Sequence, residues 1–564
     1  MDDRLSGLVP QPVTVEPLGG QLVLDTCPDV QPAGAADQSA ALAVQHLLSG
    51  LPWPRPAAQD STRCAVAIDG SLGAEAYRLV IRKDGITIAA GDQAGAVYAA
   101  QTIRQLLPDD AWRAAPLRGS EPWAVGCAHI ADRPALPWRG AHIDVARHFV
   151  PKRELLALID ALAAVKLNRL HLHLTDDQGW RIESRLHPAL HEIGSHRPRS
   201  QVSLGRERPR IYDEIPHGGY YTLADLAEIA GYAAGRGMAL VPEIDLPGHS
   251  TALLAALPEL GAGQPPDGGY RVSPDWGILT NLVAPLPATM TVLRDVFGEL
   301  VDATGARYVH VGGDECVLDS WRADARVQAS QRDRGLATAE DLHAAFLRDV
   351  ADMVAEDFAA RAVVWDEGFA GPGGAMLRPD TVVMAWRGLD VARAAAEAGH
   401  DVVVVPVLPT YFDYAQDSSD DEPVAIGGPV RLSDVAGFAP VPADWPMPAR
   451  QRVLGTQFQV WTEYIPDGRA LEYMMFPRAC ALAEVAWSGR PSPLTGGDSG
   501  QPELRDRIAA HLRRLDAAGL EYRPLFGPRP WQQGGGGPRR HRPGYQVADV
   551  GMRLAGLAAG GGQH

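Results

Sequence analysis

An apolar run built for a buried strand, Tyr308-Val309-His310-Val311, ends in Gly312-Gly313 and then two adjacent carboxylates, Asp314-Glu315. Two glycines let the backbone turn sharply and pass close to whatever lies above it. Acids at the exit of a strand stand on the face where barrels and open α/β sheets hold substrate. Two carboxyl groups held together do not both ionise easily, so one pKa rises and that group becomes a proton donor near neutral pH. That equipment suits general acid catalysis. The plainer alternative is a turn whose acids cap the next helix or face water.

The same residue types recur at other candidate strand ends. Segment 139–145 starts at Arg139 and runs on to Asp144 and Arg147; the next ends His171-Leu172-His173-Leu174-Thr175-Asp176-Asp177-Gln178-Gly179-Trp180. The third ends Glu243-Ile244-Asp245-Leu246-Pro247-Gly248-His249, the fifth Trp365-Asp366-Glu367 and the sixth Trp386-Arg387. The seventh leads into Tyr411-Phe412-Asp413, the eighth into Trp461-Thr462-Glu463. One core does not need so many indoles at its rim. A pocket walled by aromatics and rimmed by acids suits a sugar, whose apolar faces stack while its hydroxyls bond to Asp, Glu and Arg.

The elements that must position these groups follow a repeating grammar after Pro134. Strands are expected at 139–145, 169–174, 239–244, 308–311, 362–365, 381–385, 401–405 and 453–460. Helices are expected at 152–165, 224–236, 290–304, 339–359 and 391–398. Eight strands alternating with helices fit an α/β fold of the (β/α)₈ TIM-barrel type. A doubly wound sheet is the alternative, but no G-x-G-x-x-G follows the first strand. Before the barrel, strands at 77–81 and 85–90 around a Lys83-Asp84 turn, then a helix at 94–107, predict a small α+β domain. The expected division is 1–134 for that domain, 135–525 for the catalytic barrel with a closing helix at 504–520, and 526–564 for a Gly/Pro-rich, flexible tail.

A chain of 564 residues, 46% apolar and 21% charged, has ample core for such a molecule. Its formal charge of −17 speaks against nucleic acid or an anionic membrane as partner. Five scattered cysteines without C-x-x-C spacing indicate neither a disulfide framework nor a zinc site; Cys316 reads as a small buried filler. No basic and apolar leader opens the chain and no run reaches membrane length, so a cytoplasmic protein is expected. No oligomeric state is assigned.

Taken together, Arg139-Gly140-Ala141-His142-Ile143-Asp144-Val145-Ala146-Arg147-His148-Phe149, His173-Leu174-Thr175-Asp176-Asp177-Gln178-Gly179-Trp180-Arg181, Pro247-Gly248-His249 and His310-Val311-Gly312-Gly313-Asp314-Glu315 resemble the β-N-acetylhexosaminidases of glycoside hydrolase family 20. The resemblance runs in order over roughly residues 70 to 525. It implies an exo-acting, retaining hydrolase of terminal N-acetylhexosamines, GlcNAc or GalNAc, that works by substrate assistance through an oxazolinium ion. It implies no cofactor and no metal, and a carbohydrate as the partner. By the same resemblance Glu315 is the general acid and base, and Asp314 holds the substrate's acetamido N–H. Tyr411 donates to the acetamido oxygen, and Trp365, Trp386 and Trp461 wall the sugar. Arg139, Asp413 and Glu463 bind hydroxyls. Asp176, taken over its neighbour Asp177, and His249 support the acid.

Two readings from other classes compete. His171-x-His173, with Asp176, Asp177, Glu243, Asp245 and His249, has the composition of a metal site with an activated water; it leaves Gly-Gly-Asp-Glu without a role. A sugar-binding scaffold on a dead barrel is the other, opposed by the complete acid pair and Tyr411.

Overall fold

A computed structural model describes residues 4–56, 61–205, 209–370, 376–495 and 503–533. Its N-terminal part is a six-stranded sheet in the order Thr14–Leu24, Trp123–Asp132, Tyr77–Arg82, Gly85–Ala90, Arg63–Ile68, Asp29–Pro32. Burial in Tyr77–Arg82 alternates, with Leu79 and Ile81 inward, the period-2 pattern of a sheet covered on one face. The cover is a pair of helices, Gln38–Ser49 and Gln93–Leu106. Asp92 caps the second by accepting from the Gly95 N–H.

The remainder is a closed barrel of eight parallel strands: Trp138–Asp144, Arg169–His173, Ala239–Leu246, Tyr308–Gly312, Arg361–Trp365, Val382–Ala385, Asp401–Val404 and Val453–Val460. The last pairs with the first, Gly455 opposite Trp138, so no edge is left open. Val382–Ala385 is buried at every position, which is why barrel strands read as continuous apolar runs rather than alternations. Each falls within a residue or two of its expected span. Helices Lys152–Ala164, Leu223–Ala234, Pro287–Thr304, Ala339–Phe358 and Leu389–Glu397 lie between strands, and Leu504–Ala518 follows the barrel. Thr222 with Asp225 and Thr338 with Asp341 form reciprocal capping boxes, each worth about 1 kcal/mol. The expected tail lies mostly outside the described residues; of its start, Arg529 pairs with Asp516 at 2.8 Å. Among the described residues no helix is long and apolar enough to cross a membrane.

The N-terminal sheet packs on the bottom of the barrel through a sealed polar joint. Arg139 donates to Glu75 at 2.7 Å and to the Tyr98 hydroxyl at 3.1 Å; Lys166 donates to Asp132 and to the Tyr77 hydroxyl, both at 2.8 Å. Both cations are fully buried, so each needs its carboxylate partner to offset lost hydration.

Candidate active site

The acid pair leaves the barrel over two glycines that no other residue replaces. Gly312 has φ +73, and a Cβ there would lie 1.7 Å from Asp245 Oδ1. Gly313 has φ +110. The turn therefore lays Asp314 against Asp245 and His249, with one ligating atom of each within 4.8 Å of the others. Glu315 (φ 52) and His249 (φ 48), neither of them glycine, adopt the left-handed region, at a cost of order 1 kcal/mol each. That strain turns the two side chains toward each other, Glu315 Oε2 to His249 Nε2 at 3.5 Å.

Behind His249 runs a chain of ionic contacts. His249 Nδ1 lies 3.2 Å from Asp176 Oδ1, and Asp176 Oδ2 lies 2.7 Å from both His173 Nε2 and Arg147 Nη2. Burial favours a neutral Asp176 carboxyl, but Arg147 and His249 more than offset it and hold the group below the ordinary carboxylate range. The adjacent Asp177 has another duty. It accepts from the Thr251 backbone N–H at 2.9 Å, at the start of helix Thr251–Ala256, and comes no nearer than 3.6 Å to His249.

The two members of the acid pair occupy unlike surroundings. Asp314 is buried, and its Oδ1 meets no hydrogen-bond partner in the protein. Burial pushes its carboxyl up to about 6; His249 pulls it down while Glu315 and Glu243 push it further up. The side chain of Glu315 stays 24% exposed, open to the cleft.

Aromatic side chains line one wall in series. The Trp365 and Trp461 rings stand 6.0 Å apart, Trp461 and Tyr411 6.4 Å, Tyr411 and Trp386 6.4 Å. The Trp386 indole N–H donates to Glu367 at 2.8 Å. Asp413 and Glu463 face each other across the rim: burial raises both carboxyls, Glu463 raises Asp413 further, and Arg147 opposes the rise at Glu463. Asp413 Oδ1 has no hydrogen-bond partner in the protein. Buried acceptors without donors are what incoming hydroxyl and amide N–H groups would satisfy. Cys316 is half-buried, with its thiol pushed up by burial and by Asp314, so it is not poised as a thiolate.

Ten of the eleven side chains named from the sequence thus meet at the C-terminal end of the barrel. Arg139 does not. It is the second residue of its strand, at the opposite end, locked to Glu75, Tyr98 and the Leu136 and Lys166 carbonyls. About 16 Å of strand separates it from Asp144, at ~3.3 Å per residue, so it cannot reach a ligand. The arginine of the site is Arg147, three residues past the strand, bonded to Asp144, Asp176 and Gln178 and lying 5.1 Å from the Trp461 ring centroid. Asp245 and Glu367 belong to the site as well. Their position at strand exits is the signal that identifies all three.

His171 and His173 share one face of their strand and point into the barrel, where they meet Glu243, His142 and His310. These atoms approach within metal-ligand proximity. Yet Glu243 Oε2 contacts His173 Nδ1 (2.6 Å) and His171 Nε2 (3.1 Å), while its Oε1 contacts His310 Nδ1 (2.9 Å) and the Trp365 indole N–H (2.8 Å). His173 also spends its other nitrogen on Asp176. Glu243 and His173 are thus both held by protein partners at each polar end.

Comparison with known proteins agrees with this geometry. The glycosyl hydrolase family 20 catalytic-domain model matches residues 136–490, and the family's domain 2 model matches residues 5–133. A beta-hexosaminidase of Porphyromonas gingivalis is 35% identical over 82% of this chain, which spans only 56% of that longer protein. A beta-N-acetylhexosaminidase of Cellulomonas fimi is 33% identical, covering 91% of this chain and 95% of its own length. The solved family 20 exo beta-N-acetylglucosaminidase of Vibrio harveyi, in complex with N-acetylglucosamine, superposes with a TM-score of 0.77 at 28% identity, over 92% of this chain and 78% of that one. With an acid pair on a Gly-Gly turn, an aromatic wall and matches to both domains of one family, the chain belongs to glycosyl hydrolase family 20.

Proposed function

We propose that this glycoside hydrolase, of the β-N-acetylhexosaminidase type, releases terminal non-reducing N-acetylhexosamines with retention, using the substrate's own 2-acetamido group as nucleophile. The observation that carries the reading is the unlike environment of the acid pair: Asp314 buried and lacking a donor at Oδ1, Glu315 open to the cleft and faced by His249. In the first step Glu315 gives its proton to the glycosidic oxygen as the C1–O bond breaks, and the acetamido oxygen bonds to C1. Asp314 accepts the acetamido N–H and offsets the positive charge that develops on the oxazolinium ring. Tyr411 donates its hydroxyl to the acetamido oxygen and orients it. In the second step the Glu315 carboxylate takes a proton from water, whose oxygen bonds to C1 as the ring opens. His249, held by Asp176, orients Glu315 through both steps.

Trp365, Trp386 and Trp461 stack against the sugar and the acetamido methyl, excluding water from the reacting centre. Arg147, Asp413 and Glu463 bind hydroxyls with charge-assisted bonds. The test is hydrolysis of paired aryl β-glycosides with and without the 2-acetamido group, together with chitobiose. Turnover should require the acetamido group. Comparable rates on 2-hydroxy glycosides would remove the substrate-assisted step.

A further inference from the structure

Glu243 takes no part in the chemistry above, yet its carboxylate stands among four histidine rings and an indole N–H in the barrel interior. It is wholly buried, as are His142, His171, His173 and His310 around it. These rings come from the first strand (His142), the second (His171 and His173) and the fourth (His310), and the Trp365 indole N–H reaches in from the fifth. A carboxylate that accepts from the His173 ring and the Trp365 indole, with His171 Nε2 at 3.1 Å and His310 Nδ1 at 2.9 Å beside it, is held in place without solvent.

Of these rings, His173 links Glu243 to the side chains around the acid. His173 Nδ1 meets Glu243 at 2.6 Å and its Nε2 meets Asp176 at 2.7 Å. Asp176 in turn faces Arg147 and His249, and His249 faces Asp176, Asp177, Asp245, Asp314 and Glu315. The contacts therefore form one line, Glu243–His173–Asp176–His249–Glu315, from the centre of the barrel to the acid. Resting on the function proposed above, we propose that Glu243 is a positioning residue for the reaction, which by holding His173 against Asp176 fixes the orientation and charge of His249 beside Glu315.

The charges on the rings agree with this order. Burial disfavours an imidazolium, and it lowers His142 and carries His171 down to about 4. At His173 the pull of Glu243 and Asp176 more than offsets burial and raises the ring well above the ordinary histidine range. An imidazolium with a proton on each nitrogen donates to both carboxylates at once. Without the Glu243 charge, His173 loses its second anchor and Asp176 its charge-assisted donor.

The test uses the full chain and an aryl N-acetyl-β-glucosaminide. Glu243→Gln keeps the shape and removes the charge. It should lower kcat by roughly tenfold, the usual cost of removing a group that orients another. The pH profile of kcat should move with it, while KM stays within about threefold. In a His249→Asn background the same change should lower kcat by less than about twofold and leave the profile where His249→Asn put it, because coupled residues are not additive. Independent, multiplicative losses would overturn the proposal, as would an unmoved profile in an enzyme that still requires the acetamido group. Equal rates with and without that group would overturn the functional reading as well. A measurement on the unaltered protein guards against a variant that fails to fold. Nitrogen-15 NMR of labelled histidines should show His173 and His249 each as a buried imidazolium protonated at both nitrogens at pH 7, and a neutral His173 there would overturn the proposal.

Discussion

The two ends of the barrel both bury arginine among carboxylates, and they do so in opposite ways. At the bottom, Arg139 meets Glu75 and Lys166 meets Asp132, one cation to one anion, under the N-terminal sheet. At the top, Asp144, Asp176, Asp245, Asp314, Glu367, Asp413 and Glu463 crowd around far fewer cations, chiefly Arg147, Arg387 and His249. Burial, and then acid neighbours, raise the Asp245, Asp314, Glu367 and Asp413 carboxyls. A neutralised joint holds structure. An end left short of donors and rich in acids is unstable until a ligand supplies hydroxyls and N–H groups.

The comparison breaks most readily at Glu315. Glu315→Gln should cut kcat on substrates with poor leaving groups by about 10²–10⁴, the usual worth of a general acid, with an unchanged melting temperature. Near-normal turnover in that variant would remove the acid from the top of the barrel. The converse holds at the bottom. Arg139→Met leaves the half-buried Glu75 without its cation, which should cost about 1–3 kcal/mol of stability with KM unchanged in the protein that stays folded. A normal urea midpoint with altered KM would reverse the assignment of the two ends.

A smaller effect is expected where the top arginine keeps its charge but loses its fork. Arg147→Lys cannot serve Asp144, Asp176 and Gln178 together, and KM should rise roughly tenfold, about the worth of one charge-assisted hydrogen bond. Unchanged KM would detach Arg147 from substrate. The smallest effect is in stability against pH. Asp314 has a folded-state pKa of about 6 against an ordinary 3.8. Between those values the unfolded chain has released the proton that the folded chain retains, so stability falls as pH rises through that window. Asp314→Asn should flatten this fall when urea midpoints are compared at about pH 4 and pH 6.5, the two sides of that window. Parallel curves for variant and wild type would show that Asp314 titrates normally.

Much of the candidate site was legible because barrels place function at strand exits, and strand exits are visible as apolar runs ending in polar residues. Asp314, Glu315, His249 and the three tryptophans are all read that way. Arg139 failed for the same reason that Arg147 should have succeeded: a residue at the start of a barrel strand belongs to the floor. Glu243 was visible only as one more strand acid, since nothing local distinguishes a core carboxylate from a rim one. The helices after the eighth strand, Gly468–Met475 and Arg478–Ser488, were not anticipated. The second is almost wholly buried, which erases the amphipathic period that marks a surface helix.

By itself the sequence determined the order of strands and helices, the Gly-Gly turn and the identity of the acid pair. Those depend on residue type and period, which act over a few positions. Tertiary structure alone decided which of two arginines reaches the site, which of two adjacent aspartates meets His249, and that Glu243 stands behind His173. Each of those choices joins residues from different strands, and only closure of the barrel brings them within hydrogen-bond distance.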